Sequence, residues 1–181
     1  MDNNKAIQQL LDKQAIHELV NIYCRAADRH DHALMRSLYH EDATDDHGAF
    51  FKGPAMEFID HLPEIQAPMA ILHHNVTTVN IRFAADNPDR AEGEVYIIAF
   101  HQVKTDDGLM DLLIGGRYLD IYEKRDGQWR FLHRAALADW ARVDNPSTVD
   151  LKHPMVDGAH IGTPGDKDPS YSQLSLFGRG K

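Results

Sequence analysis

Apolar residues recur every three or four positions near the start of the chain, which is the spacing of a helix with one buried face. A long first helix is therefore predicted from Lys5 to Arg29. Asp31 follows it closely and is a suitable N-cap for a short second helix. The apolar positions of the first helix are Ile16, Leu19, Val20, Tyr23 and Ala27.

The segment after these helices predicts one strand and a third helix. Residues Ala43 to Phe51 form the predicted strand. Gly53-Pro54 follows, and proline at the beginning of a helix suits a third helix from Ala55 to Leu62.

The second half of the chain is rich in β-forming residues and is divided by turn signals. Short connections favour antiparallel pairing, because parallel strands need long crossovers. Three helices ahead of a curved antiparallel sheet predict an α+β fold with one hollow face. The predicted strands are Val76–Ala84, Ala91–Lys104, Met110–Lys124 and Trp129–Arg142, with turns at 86–88, 106–108 and 125–127.

The last part of the chain is rich in proline and glycine and has little periodicity. It is either a disordered tail or an ordered arm that lies on the domain or on a neighbouring subunit. We favour the arm, because it contains apolar residues that can anchor it. Residues 1–142 are predicted to form the main domain, and residues 143–181 an arm of the same domain. The candidate anchors are Met155, Ile161, Tyr171, Leu174, Leu176 and Phe177.

Composition narrows the function classes. The 181 residues are 43% hydrophobic and 26% charged, as in a soluble globular domain. The net charge of −9 and the lack of a basic stripe argue against nucleic acid as a partner. We expect no membrane association, because no run approaches the roughly 18 apolar residues of a spanning helix. A signal peptide is not evident and Cys24 is the single cysteine, so a cytoplasmic location is predicted.

Two acid–base candidates stand out, although each also has an ordinary structural interpretation. Asp28 lies near the end of the first helix, where solvated acids are common. His73 and His74 precede a polar strand, and only one of two adjacent strand residues can enter a given pocket. Cys24 lies one helical turn before Asp28.

Other kinds of site are less well supported by the sequence. No metal is predicted, because the twelve histidines and their acidic neighbours lack a recognised ligand spacing. A glycine-rich phosphate loop is also absent, and no cofactor is predicted. A serine or cysteine nucleophile lacks its elbow motif.

Alternation along the strands predicts one pocket face. An apolar cone with few polar groups is typical of a small-molecule site, although the same residues can simply fill a core. The opposite positions Ile121, Trp129 and Phe131 are predicted to face outward. The predicted pocket set contains Asp45, His47, Phe51, Val95, Ile97, Ala99, His101, Ile114, Gly116, Tyr118, Ala136, Ala138 and Trp140.

Four segments in this order resemble the SnoaL-like branch of the nuclear transport factor 2-like superfamily. They are YCRAADRHD, FFKGP, LHHNVTTVNIRF and LLIGGRYLDIYEKRDGQWRFLHR, and the resemblance covers roughly residues 8 to 142. It implies a cone of three helices closed by a strongly bent sheet, with the pocket inside. It also implies a homo-oligomer, with a trimer favoured over a dimer.

The resemblance assigns roles to four residues. Asp28 matches the family's catalytic aspartate, and His74 matches its histidine because it lies seven residues before Ile81. Tyr23 and Arg134 match active-site residues of individual family members. Thr78 departs from the family, where asparagine is common at this position.

These assignments imply a cofactor-independent lyase of the dehydratase type that acts on a hydrophobic small molecule. An aromatic, steroid-like or polyketide-like substrate is expected. The alternatives are a carbon–carbon lyase that releases formaldehyde from a lignin-derived diarylpropane, a ketosteroid-type isomerase, and a ligand-binding module without catalysis.

Overall fold

The computed structural model describes residues 3–146 and 153–181, and it shows helices packed on one face of a single sheet. The helices are α1 (Asn3–Asp28), α2 (His32–Ser37), α3 (Ala55–Gln66) and α4 (Pro169–Gln173). Helix α1 packs mainly on the third strand, and α3 packs on the first. This arrangement confirms the predicted α+β fold class.

The sheet is mixed and open. Its strands are β1 (Tyr39–Asp46), β2 (Lys52–Pro54), β3 (Met69–Phe83), β4 (Arg90–Thr105), β5 (Gly108–Arg125) and β6 (Gln128–Asp144). They lie in the order β2-β1-β6-β5-β4-β3, so β2 and β3 form the two edges. Strands β1 and β6 pair in parallel, and the other neighbours pair antiparallel. We call the face covered by α1 and α3 concave and the opposite face convex.

Two of the predicted strands differ substantially from the structure. The strand predicted from Ala43 to Phe51 is divided, because the chain turns at Gly48 with a φ of +64° before β2 begins. Strand β3 begins at Met69, so His73 and His74 lie inside it. An edge strand tolerates polar residues on its outer side, which weakens the alternating pattern that marks a strand in the sequence.

Strand β6 contains a β-bulge at Leu132 that reverses the predicted faces of its first residues. Ile121 pairs with His133 whereas Tyr122 pairs with Phe131, so Leu132 is an extra residue. Trp129 and Phe131 are therefore 7% and 0% exposed and belong to the core. The prediction that they face outward is wrong.

A second bulge at Asp139 moves Trp140 to the convex face. Gly116 pairs with Ala138, and Gly115 pairs with Trp140. The indole lies so close to Gly115 that a Cβ there would come within 2.1 Å of it. Trp140 is half-exposed, and the prediction that it lines the pocket is wrong.

The C-terminal segment contacts the end of α1 and the start of α2 in its own chain. Arg29 donates to the carbonyl oxygen of Thr163 and to Asp168, both at 2.8 Å. The hydroxyl of Tyr171 donates to Asp31 Oδ2 at 3.2 Å, and so does the backbone N–H of Gly180 at 2.9 Å. Residues 147–152 of the predicted arm lie outside the described residues.

Among the residues that the structure describes, no helix has both the length and the apolar character needed to cross a membrane.

The convex face carries an apolar strip formed by Tyr96, Ile98, Leu119 and Trp140. Each of these large side chains is between 38% and 50% exposed. Neighbouring exposed apolar residues of this size are typical of an interface between proteins.

We expect this apolar strip to be buried in an interface with other copies of the chain. Ile98→Asp should therefore lower the molar mass measured by light scattering to that of a monomer. Leu109→Asp, at the exposed end of β5, is the matched control and should leave the mass unchanged. A monomeric wild-type protein would reject the predicted homo-oligomer.

Candidate active site

Asp28 is the last residue of α1, and its side chain joins the helix to the edge of β3. Both of its carboxylate oxygens lie 3.2 Å from the backbone N–H of His74. The chain then turns at His30, which has a φ of +50°, and Asp31 caps α2 by accepting from the N–H of Leu34 at 3.0 Å. Because the helix ends here, Asp28 can face the same interior as Tyr23 although the two residues are five positions apart.

The side chain of His74 forms a hydrogen bond with this carboxylate. It lies on the concave face of β3, opposite Ala99, and its Nδ1 is 2.6 Å from Asp28 Oδ1. Both side chains are 10% exposed. An ionised carboxylate only accepts hydrogen bonds, so this contact suits a proton on Nδ1, and Nε2 makes no hydrogen bond in the part of the chain that the structure describes. His73 is exposed and pairs with Phe100 on the convex face.

His101 lies beside His74 on the concave face. Their ring centroids are 5.4 Å apart, and His101 Nε2 is buried and has no hydrogen-bond partner among the described residues. Burial, with a smaller contribution from His74, lowers the pKa of His101 to about 4. His101 is therefore a neutral ring at physiological pH.

Arg134 is wholly buried and paired with Asp120. Its Nε and Nη2 each lie 2.7 Å from a carboxylate oxygen of Asp120. Its guanidinium carbon lies 3.9 to 4.1 Å from the ring centroids of Tyr23, Tyr118 and Phe131. Burial alone would lower the pKa of Arg134, but Asp120 holds that pKa well above its ordinary value. Arg134 thus stabilises the aromatic wall and has no exposed surface for a ligand.

Tyr23 and Cys24 are both uncharged in this environment. Burial raises the pKa of Tyr23 well above its ordinary value and raises the pKa of Cys24 to about 11. The hydroxyl of Tyr23 is therefore a neutral group that can donate a hydrogen bond. Cys24 is a thiol rather than a nucleophilic thiolate at neutral pH.

The other predicted pocket residues lie at different depths on the concave side. Tyr118 is 4% exposed and packs edge-on against Tyr23, with ring centroids 5.6 Å apart. Ile114 is half-buried opposite Ala99, in line with His74. Phe51 is half-buried against Phe58, with ring centroids 5.3 Å apart.

Asp45 and His47 also lie together. Asp45 pairs in register with the inward-facing Arg134, and its Oδ1 is 2.6 Å from His47 Nδ1. These two atoms are close but are poorly aligned for a hydrogen bond, and neither has a partner of acceptable geometry in the part of the chain that the structure describes. Asp45 and His47 thus form a second close aspartate–histidine contact, besides Asp28 and His74, within the described residues.

Two cavities adjoin Asp28. The larger, about 320 Å³, is lined by the two arginines Arg25 and Arg29 together with Cys24 and His74. The smaller, about 170 Å³, is closed on one side by residues 162–164 of the C-terminal segment.

The contribution of the C-terminal segment was not predictable from local sequence. Asp168 anchors this segment. Burial alone would raise the pKa of the Asp168 carboxyl, but hydrogen bonds from Ser170 and Thr163 and the charge of Arg29 lower that pKa to about 2. Arg29 directly follows Asp28, and this adjacency was the only signal that it lies beside the site. Thr163 contributes a buried hydroxyl that makes no hydrogen bond to residues 3–146 or 153–181.

In the described ranges 3–146 and 153–181, no group of three or more histidine, cysteine, aspartate or glutamate side chains is placed to hold a metal ion.

The comparison with known proteins identifies the family. The model of the SnoaL-like domain matches residues 8–135, which is more than half of the chain. The chain belongs to the SnoaL-like domain family. A sequence search among curated proteins gives no significant match.

Several solved structures share this SnoaL-like fold. LinA superposes with a TM-score of 0.72 at 21% identity, over 81% of this chain and 98% of its own. The type 3 form of this hexachlorocyclohexane dehydrochlorinase, from Novosphingobium barchaimii, gives 0.68 at 18%, over 80% and 98%. A proposed scytalone dehydratase from Novosphingobium aromaticivorans gives 0.66 at 21%, over 78% and 96%. At these identities the likeness shows a common fold.

The low pKa of His101 predicts a specific dependence of stability on pH. The unfolded chain takes up a proton at this residue below about pH 6.5, whereas the folded chain does so only near pH 4. The unfolded state binds more protons in this window, so the free energy of unfolding should fall as the pH decreases.

His101→Gln should flatten this decrease by up to about 1 kcal/mol per pH unit, as measured by urea denaturation between about pH 4.5 and pH 7. His61→Gln, at an exposed position of α3, is the control and should retain the wild-type slope. An unchanged slope in His101→Gln would show that His101 ionises alike in the folded and unfolded chains.

Proposed function

We propose that the protein is a cofactor-independent lyase that eliminates water or a similar leaving group from a hydrophobic small molecule. The observation that supports this proposal most strongly is the 2.6 Å contact between Asp28 and His74 Nδ1, which leaves Nε2 free on the concave face. A histidine whose one nitrogen is held by a carboxylate has a fixed ring and a fixed tautomer, as a general base requires.

The proposed step begins with removal of a proton from a carbon atom next to a carbonyl group. His74 Nε2 takes this proton, and Asp28 stabilises the imidazolium that forms. Because both side chains are 10% exposed, water competes little with the substrate for Nε2. The leaving group then departs from the adjacent carbon, and a carbon–carbon double bond forms.

Negative charge that develops on the carbonyl oxygen needs a hydrogen-bond donor that stabilises it. We propose Tyr23 for this role, because its hydroxyl remains protonated and its ring lies over the Arg134 guanidinium. Arg134 then acts as a positioning residue through Tyr23. The family resemblance matched Arg134 to an active-site residue, and its complete burial is the reason for proposing an indirect role.

The substrate class rests on the apolar character of the concave face. Val95, Ile97 and Ala99 on β4 offer no hydrogen-bonding side chains, which favours an aromatic, steroid-like or polyketide-like molecule. Elimination is proposed ahead of carbon–carbon cleavage and isomerisation because the similar folds include proteins named as a dehydrochlorinase and as a proposed dehydratase.

The proton transfer itself is acid–base chemistry that side chains can perform. It needs no electron acceptor, so we propose that the enzyme works without a cofactor.

His74→Gln should lower kcat/KM for dehydration by about 10²–10⁴-fold, the usual contribution of a positioned base. Asp28→Asn should lower it to a similar extent because it removes the charge that stabilises the imidazolium. The probe is 4-hydroxy-4-phenylbutan-2-one, an aromatic β-hydroxy ketone whose dehydration product absorbs in the ultraviolet.

His73→Gln is the matched control, because His73 is the neighbouring histidine on the convex face. It should retain wild-type turnover. Equal rates for wild type and His74→Gln would reject His74 as the base.

A further inference from the structure

Arg25 lines the same cavity as the acid–base pair of the proposed reaction. This cavity of about 320 Å³ is bordered by Arg25, Asp28 and His74. Arg25 precedes Asp28 by three positions in α1, so the two side chains are neighbours on the helix, with Cβ atoms about 5–6 Å apart. A group bound by Arg25 would therefore lie close to the contact between Asp28 and His74.

The Arg25 guanidinium is held in place by the C-terminal segment. Its Nη2 donates to Ser170 Oγ at 3.1 Å and to the carbonyl oxygen of Phe177 at 3.2 Å. The guanidinium carbon also lies 5.0 Å and 5.2 Å from the ring centroids of Tyr171 and Phe177. A cation fixed in this way loses little conformational freedom when it binds a ligand.

Arg25 keeps hydrogen-bonding capacity that no described residue uses. A guanidinium has N–H donors on all three nitrogens, and both bonds of Arg25 to the C-terminal segment involve Nη2. Its Nε and Nη1 make no hydrogen bond within residues 3–146 and 153–181. Arg29 lines the same cavity but is paired with Asp168 at 2.8 Å. Of these two arginines, only Arg25 lacks an acidic partner in the part of the chain that the structure describes.

The surroundings of this cavity favour a ligand group with one negative charge. Most side chains that line the cavity are polar, in contrast to the apolar Val95, Ile97 and Ala99 of the concave face. Asp28 places a carboxylate beside the cavity, and its charge disfavours a multiply charged group such as a phosphate. A carboxylate has a single charge and matches the planar fork of a guanidinium.

We propose that Arg25 is a specificity-determining residue that binds a carboxylate group of the substrate. This inference rests on the proposed function and refines its substrate class. The substrate has an apolar body, which contacts the concave face, and one carboxylate, which Arg25 holds in the polar cavity beside Asp28 and His74.

Binding of unreactive ligands tests this role independently of catalysis. The probes are 3- and 4-(3-oxobutyl)benzoate and the two matching benzamides, which have a similar shape but no charge. None of them has a hydroxyl group to eliminate. For at least one benzoate, calorimetry should give a Kd for the wild-type protein about 10–100-fold below that of its benzamide, because charge-assisted hydrogen bonds are stronger than neutral ones.

Arg25→Gln should raise the Kd of that benzoate by about 10–100-fold and change the Kd of the benzamide by less than about threefold. A retained benzamide affinity also shows that the cavity is intact. Arg25→Lys should keep part of the preference, because it retains the charge without the planar fork. Arg130→Gln is the matched control and should keep the full preference. Arg130 is likewise half-buried and donates to Gln128, but it does not line this cavity.

The benzoate that binds should also inhibit competitively the dehydration of 4-hydroxy-4-phenylbutan-2-one by the wild-type protein. The same hydroxy ketone with a carboxylate on its ring should be the better substrate.

Equal Kd values of benzoate and benzamide for the wild type, or equal losses of both in Arg25→Gln, would overturn the proposal. Binding without inhibition would overturn it as well, because the carboxylate would then lie outside the reaction site. If the wild type binds the benzoate through Arg25 but dehydrates neither hydroxy ketone, the proposed lyase is rejected and the carboxylate site stands.

Discussion

The carboxylate of Asp28 joins the last turn of α1 to the edge of β3, and the geometry of the candidate site depends on this contact. Asp28 accepts the backbone N–H of His74 and also lies 2.6 Å from its ring nitrogen. One side chain therefore fixes both the position of the strand and the orientation of the histidine. Because the helix ends at this residue, the same carboxylate adjoins the interior and the two cavities beside Arg29.

The first three helices, the four long strands of the second half and the α+β class were predictable, because they depend on local periodicity and on clear turn signals. The sheet face on which each side chain of β6 lies was not predictable. Counting outward from Arg134 fails in both directions, since an extra residue at Leu132 places Phe131 inside and another at Asp139 places Trp140 outside. A bulge is specified by pairing with the neighbouring strand, so it leaves no distinct pattern in the sequence of one strand.

The candidate site also contains features that could be predicted from the sequence and features that could not. Asp28 and His74 could be assigned from motifs, whereas the enclosure of Arg134 by Asp120 and three aromatic rings depends on contacts between distant strands. Burying this cation is favourable only with such a partner, because desolvation of an unpaired charge costs several kcal/mol. Asp120 is thus what allows Arg134 to lie beneath Tyr23. The salt bridge between Asp168 and Arg29 likewise joins residues that are 139 positions apart in the sequence.

The most direct test of the central claim is the tautomer of His74, measured by nitrogen-15 NMR of the imidazole ring at neutral pH. We predict a proton on Nδ1, which donates a hydrogen bond to Asp28, and a bare Nε2. Asp28→Asn should abolish this preference. A proton on Nε2 with a bare Nδ1 in the wild-type protein would contradict the role of His74 as a base oriented by Asp28.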